Sequence, residues 1–470
     1  MSQLLREEVH LSRGDRTSSR YRAVPFEVPA GTGEIQVSYE YAGQGLPGSA
    51  NQIDLGLSDQ RGLRFPGLPG FRGWSGGARR EIMVAADTAT PGYLPGIVEP
   101  GTWHVLLGLY EVAEGGVDVQ VRISLRDGRP AAAGAVAPVA RSAPPPEPLI
   151  PGTPPKAAQS DRRWLRGELH SHTEHSDAPG SLTELIAAAE DAGLDFLAVT
   201  EHNTTSHLRE LSDARTHLLL LPGLELTTYQ GHLNVWGVSG PLDFRCHTAS
   251  GLGAVARAAL AAGCVISASH PFAPGMEWGF GFELPLHGLE VWHGPCLGLN
   301  RLSYDMWVDL LRQGRRLFGY GGADTHIGKP ATLPPGTPVT WLLAEPSTAG
   351  ILAALAGGRV CLAAAYNWLE LSARRDCHTW CVGDESPAGD LTVSLHGQAS
   401  EPGQLRLWNR SAILHQEPVA AGAFATELQL ELAAGDLLRA DLTRPALEAE
   451  LRRFPLLALT NPIWTAAGQL

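Results

Sequence analysis

The stretch "GELHSHTEHSD", Gly167 to Asp177, holds three histidines (His170, His172, His175) and three acids (Glu168, Glu174, Asp177), in a chain that has 17 histidines among 470 residues. A solvated loop has no need of such a cluster, and a buried one is penalised for every polar group left without a partner. Metal ligation answers both objections. Side chains on a strand have a period of two, so His170 and His172 project from one face and offer a paired grip on one cation. Alone, His-x-His also arises on exposed strands, so the remaining ligands have to be found elsewhere in the chain.

They stand at the ends of successive apolar segments. "AVTEHN" ends in Glu201 and His202, and "LPGLEL" places Glu225 beyond an apolar run. "GHLNVWG" opens with His232, "SASHPF" delivers His270, and "GGADTHIG" delivers Asp324 and His326, again two apart. In parallel α/β folds the carboxyl ends of the strands form the active face. The pattern therefore predicts one convergent cluster of imidazoles and carboxylates. These donors suit Zn, Mn or Fe, and with no cysteine among them nothing favours a soft metal. A carboxylate such as Glu225 can join two cations, and water held between cations loses its proton near neutral pH, its pKa drawn to about 7. Such water attacks an ester without a protein nucleophile, and no G-x-S-x-G elbow is present to supply one.

Other features carry less. "GYGGADTHIGK" is glycine-rich but has neither nucleotide-cradling spacing. Glu290 and His293 in "LEVWHG" follow another strand and line the expected pocket, with His293 a weaker candidate for protonating a leaving group. Arg301 and Lys329 would suit a phosphate, although surface charge is the commoner fate of a lone basic residue. His175 is a rival ligand two positions before Asp177, with a supporting or surface role favoured, and Glu201 is a supporting candidate beside His202.

The elements that must position these residues are legible in the texture of the chain. Over 1–127, "GEIQVSYEYAG", "TWHVLLGLYEV" and "GVDVQVRISLRDG" read as strands of a small N-terminal β-sandwich domain. Ala and Pro dominate 128–160, which reads as a linker. From 161 to 365 strands and helices alternate. "SLTELIAAAEDAG" carries a capping box, Ser181 with Glu184, and ends at Gly193. Repeated strand–helix units imply a parallel sheet or barrel. Alternating β texture returns over 366–470, as in "DLTVSLHGQ" and "GQLRLWNR", and predicts a C-terminal β domain.

Composition sets the outer bounds. The chain is 44% hydrophobic and 18% charged, as globular proteins are, and its length predicts several domains. A formal net charge of −13 argues against a nucleic-acid-binding face. The charged N-terminus "MSQLLREEVHLSRGDR" has no signal-peptide core and no apolar run is long enough for a membrane span, so the cytoplasm is the expected location. The six cysteines all lie beyond residue 245, which is no disulfide framework. "CHTWC" (Cys377, His378, Cys381) lacks the second half of a zinc site and reads as a turn.

The ordered set "HSHTEHSD", "TEHN", "GLE", "GH", "SHP" and "ADTH" resembles the PHP (polymerase and histidinol phosphatase) family of metallohydrolases, and more narrowly its carbaryl-hydrolase-like CehA/McbA branch. The resemblance covers about 161–365; outside that range it rests on layout and the tail "ALTNPIW". It implies a distorted seven-stranded (β/α) barrel with two or three divalent metal ions at the carboxyl ends of its strands. By position, His170, His172, Glu225 and Asp324 would hold the first metal. Glu225 would bridge to a second completed by His270 and His232, and Asp177, His202 and His326 would hold a third. The implied activity is hydrolysis of a small-molecule ester, with an anionic phosphoester favoured and a metal-bridging hydroxide as nucleophile. Carbamate, amide or carboxylic ester hydrolysis at the same metals is one alternative. A metal-stabilised scaffold that presents the β domains is another.

Overall fold

The computed structural model describes residues 2–44, 49–63, 69–127, 161–294, 298–330, 332–445 and 454–467. The linker expected over 128–160 lies outside the described residues, as does Cys296.

The N-terminal part is a pair of four-stranded antiparallel sheets. One runs Ser2–Leu11, Val117–Asp127, Thr32–Tyr41, Glu81–Ala85; the other runs Tyr21–Val28, Gly101–Glu111, Gln52–Ser58, Phe71–Gly76. Alternation decides which face is buried. Val117, Val119, Val121, Ile123 and Leu125 point inward while their neighbours are exposed or half-buried. They share one core with Ile53, Leu55, Leu57, Val105 and Leu107 of the facing sheet, which makes a sandwich.

Seven strands then lie side by side in the order Phe318–Gly322, Gly288–His293, Val265–Ala268, Gly231–Trp236, Leu219–Thr228, Phe196–Val199, Arg163–Glu168. The expected closed seven-stranded (β/α) barrel is not what their ladders form. The last strand, Arg163–Glu168, pairs not with Phe318–Gly322 but with Val339–Ala344, and the sheet runs on through Val360–Ala363 and Leu456–Thr460 to 15 strands in all. The central strands are an arc of a β-rich sheet, not a ring. Only the rim is bridged, by a short parallel ladder of Ser171–His172 with Thr325–His326.

The arc also departs from strict strand–helix alternation. Leu219–Thr228 turns back on itself at Gly231 (φ +122°) to form an antiparallel hairpin with Gly231–Trp236. That conformation favours glycine. Six strands of the arc are mutually parallel and Gly231–Trp236 alone runs the other way. Its first residues therefore lie at the same rim as the last residues of the others. This is why His232 opens its strand while Glu225 stands near the end of its own and His202, His270 and Asp324 follow theirs. Helices Leu182–Asp191, Ala249–Ala261, Asn300–Arg312 and Thr348–Ala356 pack on the sheet. The first has the expected capping box of Ser181 and Glu184.

The C-terminal strands share a core with the arc. Leu391, Leu405 and Leu442 pack in one cluster with Leu185 of the first of those helices and Val199 of the arc. In the tail, Asn461 Oδ1 accepts from Gly319 N at 2.7 Å and its Nδ2 donates to Gly319 O at 3.2 Å, tying the tail to the arc's edge strand.

The N-terminal sandwich docks on the hairpin turn. Tyr229 stacks on Tyr21 (5.6 Å between centroids, 15° between planes) and donates its hydroxyl to Asp54 Oδ2 at 2.7 Å. Burial pushes the Asp54 carboxyl up to about 7, against the Tyr229 hydrogen bond. In the unfolded chain it titrates near about 3.9. Between those values the unfolded state releases a proton the folded state keeps, so this group costs stability as pH rises through that window. Asp54→Asn is expected to raise the melting temperature, relative to the natural chain, more at about pH 8 than at about pH 4.5. Thermal unfolding at both pH values checks it; an equal effect at each would contradict the assignment.

Candidate metal centre

At the rim of the arc, Glu225 is wholly buried and ringed by five imidazoles. Its Oε1 faces His232 Nδ1 and His270 Nε2, each at 3.0 Å. Its Oε2 faces His202 Nδ1 at 2.9 Å, His170 Nε2 at 3.3 Å and His172 Nε2 at 3.5 Å. Asp324 stands alongside, with Oδ1 at 3.0 Å from His172 Nε2 and 3.5 Å from His170 Nε2, and Oδ2 at 3.1 Å from His293 Nε2. Further out, Asp177 Oδ1 is 3.0 Å from His326 Nε2 and 3.6 Å from His202 Nε2. Its Oδ2 takes Lys329 Nζ at 2.7 Å.

Sets of these donors are close enough to share a cation: His170, His172 and Glu225; His202, Glu225 and His232; His172, Asp177, His202 and His326. Within each set the ligand atoms lie within 4.8 Å of one another. The structure brings together all nine residues expected as ligands. His170 Nε2, both nitrogens of His172, Asp177 Oδ1, Glu225 Oε2 and His270 Nδ1 are buried without a hydrogen-bond partner. Buried polar atoms are rarely left so. Orphaned lone pairs on imidazole and carboxylate, turned toward one another, fit divalent cations held between them.

The backbone is bent to bring them there. His270 (φ +24°) and Asp324 (φ +48°) both have positive φ without being glycine. Such conformations cost of order 1–3 kcal/mol each and persist where the surroundings fix them. Asn203, also at positive φ (+53°), exchanges two hydrogen bonds of 2.8 Å with the backbone of Thr227 and so extends the pairing of its neighbours His202 and Glu225.

A surrounding layer of acids orients the donors. Glu290 accepts from His170 Nδ1 at 3.1 Å and from His270 N at 2.8 Å, which leaves His170 Nε2 free to face Glu225 and Asp324. Glu201 accepts from Thr173 N at 3.0 Å, from the Thr173 hydroxyl at 2.5 Å and from the Ser176 hydroxyl; it fixes the loop before Asp177 and faces none of the donor sets. Glu168 accepts from the backbone N–H groups of Leu169, His170, Ala323 and Gly336 at 2.6–2.9 Å. It spans the gap where the two end strands of the arc fail to pair. Glu168 was not singled out from the sequence, though period two puts it on the face of His170 and His172.

Charge within the cluster is preset. Burial alone would raise Glu225 and Asp324, but the charges of the surrounding histidines outweigh it and hold both carboxyls well below their ordinary range. Burial and the neighbouring His202 and His326 push His172 down to about 3, so the ring stays neutral and one of its nitrogens keeps a free lone pair.

Some expected residues lie elsewhere. His175 spends both ring nitrogens away from the cluster, Nδ1 on Ser206 Oγ at 2.8 Å and Nε2 on Glu210 at 3.0 Å. Arg301 pairs with Asp305 on the exposed side of its helix. Cys377 Sγ lies 3.6 Å from His378 Nδ1, and among the described residues neither joins a candidate cation group.

No protein-family model matches the chain, and no curated protein matches it either. Among solved structures it is similar to a two-domain protein from Bacteroides vulgatus containing a predicted PHP-like metal-dependent phosphoesterase, with 16% identity, TM-score 0.36, and coverage of 65% of this chain and 96% of that one. It is also similar to a candidate metal-dependent phosphoesterase from Bifidobacterium adolescentis, with 19% identity, TM-score 0.27, and coverage of 36% and 90%. Among the described residues no helix is long and apolar enough to cross a membrane.

Because Glu290 fixes which nitrogen of His170 is free, Glu290→Gln is expected to weaken cation binding about 10–100-fold while the fold is kept. Calorimetric titration with Mn²⁺ checks this; unchanged affinity would show that the contact does not orient His170.

Proposed function

We propose that the chain is a metal-dependent hydrolase of ester bonds, of the PHP kind, with phosphoesters as its preferred substrates. The observation that carries the proposal is the wholly buried Glu225 carboxylate with imidazoles at both of its oxygens. An isolated buried carboxylate is costly. One with imidazole nitrogens at each of its two oxygens is arranged to serve two cations.

In this reading His170, His172, Glu225 and Asp324 hold one cation; Glu225, His232 and His270 hold a second; Asp177, His202 and His326 hold a third. Bound cations supply Lewis acidity and bring the pKa of water near neutrality. The chain's own groups do the rest. Glu290 keeps the proton of His170 on Nδ1. His293 directs Nε2 at Asp324 Oδ2, and this contact favours a role in orienting Asp324 over delivery of a proton to a leaving group. Lys329 sits half-exposed on the outer oxygen of Asp177, where its charge meets an anionic group arriving from solvent. The phosphoester preference rests on that lysine and on the sequence motifs.

Protein reconstituted with Mn²⁺ or Zn²⁺ is expected to hydrolyse p-nitrophenyl phosphate or bis-p-nitrophenyl phosphate in preference to a naphthyl carbamate. Asp324→Ala is expected to lower turnover by about 10²–10³-fold or more, with thermal unfolding showing the fold retained. Turnover of the carbamate alone would replace the phosphoester preference. Wild-type turnover by Asp324→Ala would remove the cluster from catalysis.

A further inference from the structure

The donor sets differ in what holds them. Glu225 and His232 stand in paired strands of the arc, and His172 stands in the short ladder at its rim. Asp177 and the Nε2 edge of His202 lie farther out, with side chains 34% and 24% exposed, and each borders a loop: 173–177 includes Asp177, and 203–206 begins just after His202. A loop at a rim has few neighbours to fix it. Here both loops meet the N-terminal sandwich around Gly92.

Gly92 O accepts from Thr204 Oγ1 at 2.8 Å, and Gly92 N donates to Ser206 Oγ at 3.0 Å. With its oxygen accepting from Gly92, the Ser206 hydroxyl donates to His175 Nδ1 at 2.8 Å, and His175 Nε2–H is left to donate to Glu210 at 3.0 Å. The chain of donors is consistent from the sandwich to the loop, and it accounts for His175 being no ligand. Gly92 has φ +98°, and a Cβ there would come within 2.8 Å of His175 O. Beside it the Arg79 guanidinium donates to Glu174 O. On the opposite side Glu201 holds Thr173 and Ser176. The loop that delivers Asp177 is thus held between Glu201 and the sandwich.

We propose that the N-terminal sandwich is a wall of the metal centre, and that its Gly92 contacts with Thr204 and Ser206 position Asp177 and His202 to retain the outer cation. Affinity at a multi-ligand site depends on holding the ligands in place before the ion arrives. The sandwich does this for the outer set and leaves the set of His170, His172 and Glu225 to the arc. The inference rests on the cation reading of the cluster.

The test is cation stoichiometry and affinity in the full chain, by elemental analysis after Mn²⁺ reconstitution and by calorimetric titration. Thr204→Val with Ser206→Ala removes both hydroxyls without adding bulk. This variant is expected to lose one class of Mn²⁺ sites, or to weaken it about 10–100-fold, while the other class is unchanged. Thr204→Ser with Ser206→Thr keeps the hydroxyls and is expected to retain both classes. Arg79→Met removes the contacts on Glu174 O and on the neighbouring Pro91 O and is expected to weaken the same class. Unchanged binding in the first variant, or equal loss of every class, overturns the proposal. If that variant fails to fold, unchanged binding by Arg79→Met overturns it and selective weakening supports it. A natural chain that binds no Mn²⁺ would end the cation reading as well; a natural chain that binds while its variants are insensitive ends only this inference.

Discussion

The rim of this protein is organised around a carboxylate that has no stable existence by itself. Glu225 is fully buried, and removing a charge from water costs several kcal/mol after relaxation. Its compensation is the set of five imidazoles around its two oxygens. Those imidazoles repel one another whenever they are protonated, and cations held between the donors would supply the positive charge without crowding protons onto neighbouring rings. Three features of the fold follow from that demand: the hairpin that reverses direction at Gly231, the strained turns at His270 and Asp324, and the shell of acids behind the histidines.

The reversal is the most economical of these. A strand contributes to one rim only through the end that lies there. By inserting one antiparallel strand, the arc places Glu225 and His232, seven positions apart in sequence, across the same opening. Glu168 acts in a related way. The two end strands of the arc do not pair along their length, and a buried carboxylate accepts the N–H groups that a ladder would otherwise have satisfied. A backbone gap at the rim is thereby closed by a side chain, and His170, two residues on, is fixed by it. Packing at the same gap is tight: a Cβ on Gly322 would lie 2.4 Å from His170 Cβ.

The donors were legible in the sequence because clustered histidines and acids at the ends of apolar runs have few other physical reasons to exist. The N-terminal sandwich was legible from alternation, as in Val117–Asp127, and the helix after the first motif from its Ser181–Glu184 box. The arc's openness was not. Strand–helix alternation does not say whether end strands meet, and "TTYQGHLNVW" carries its reversal in a single glycine. Nor does texture reveal that the C-terminal strands extend the same sheet through Leu456–Thr460, since pairing partners are chosen across the whole chain. The contact of Gly92 with Thr204 and Ser206 spans more than a hundred residues and leaves no local signal.

The central claim is that the donors converge to hold cations. Diffraction from crystals of the Mn²⁺- or Zn²⁺-reconstituted protein, recorded at the metal's absorption edge, tests it most directly. Anomalous peaks on both sides of the Glu225 carboxylate, within ligand distance of His170, His172, His232 and His270, are predicted. A rim without anomalous density, its imidazoles paired only with carboxylates and water, would contradict the account.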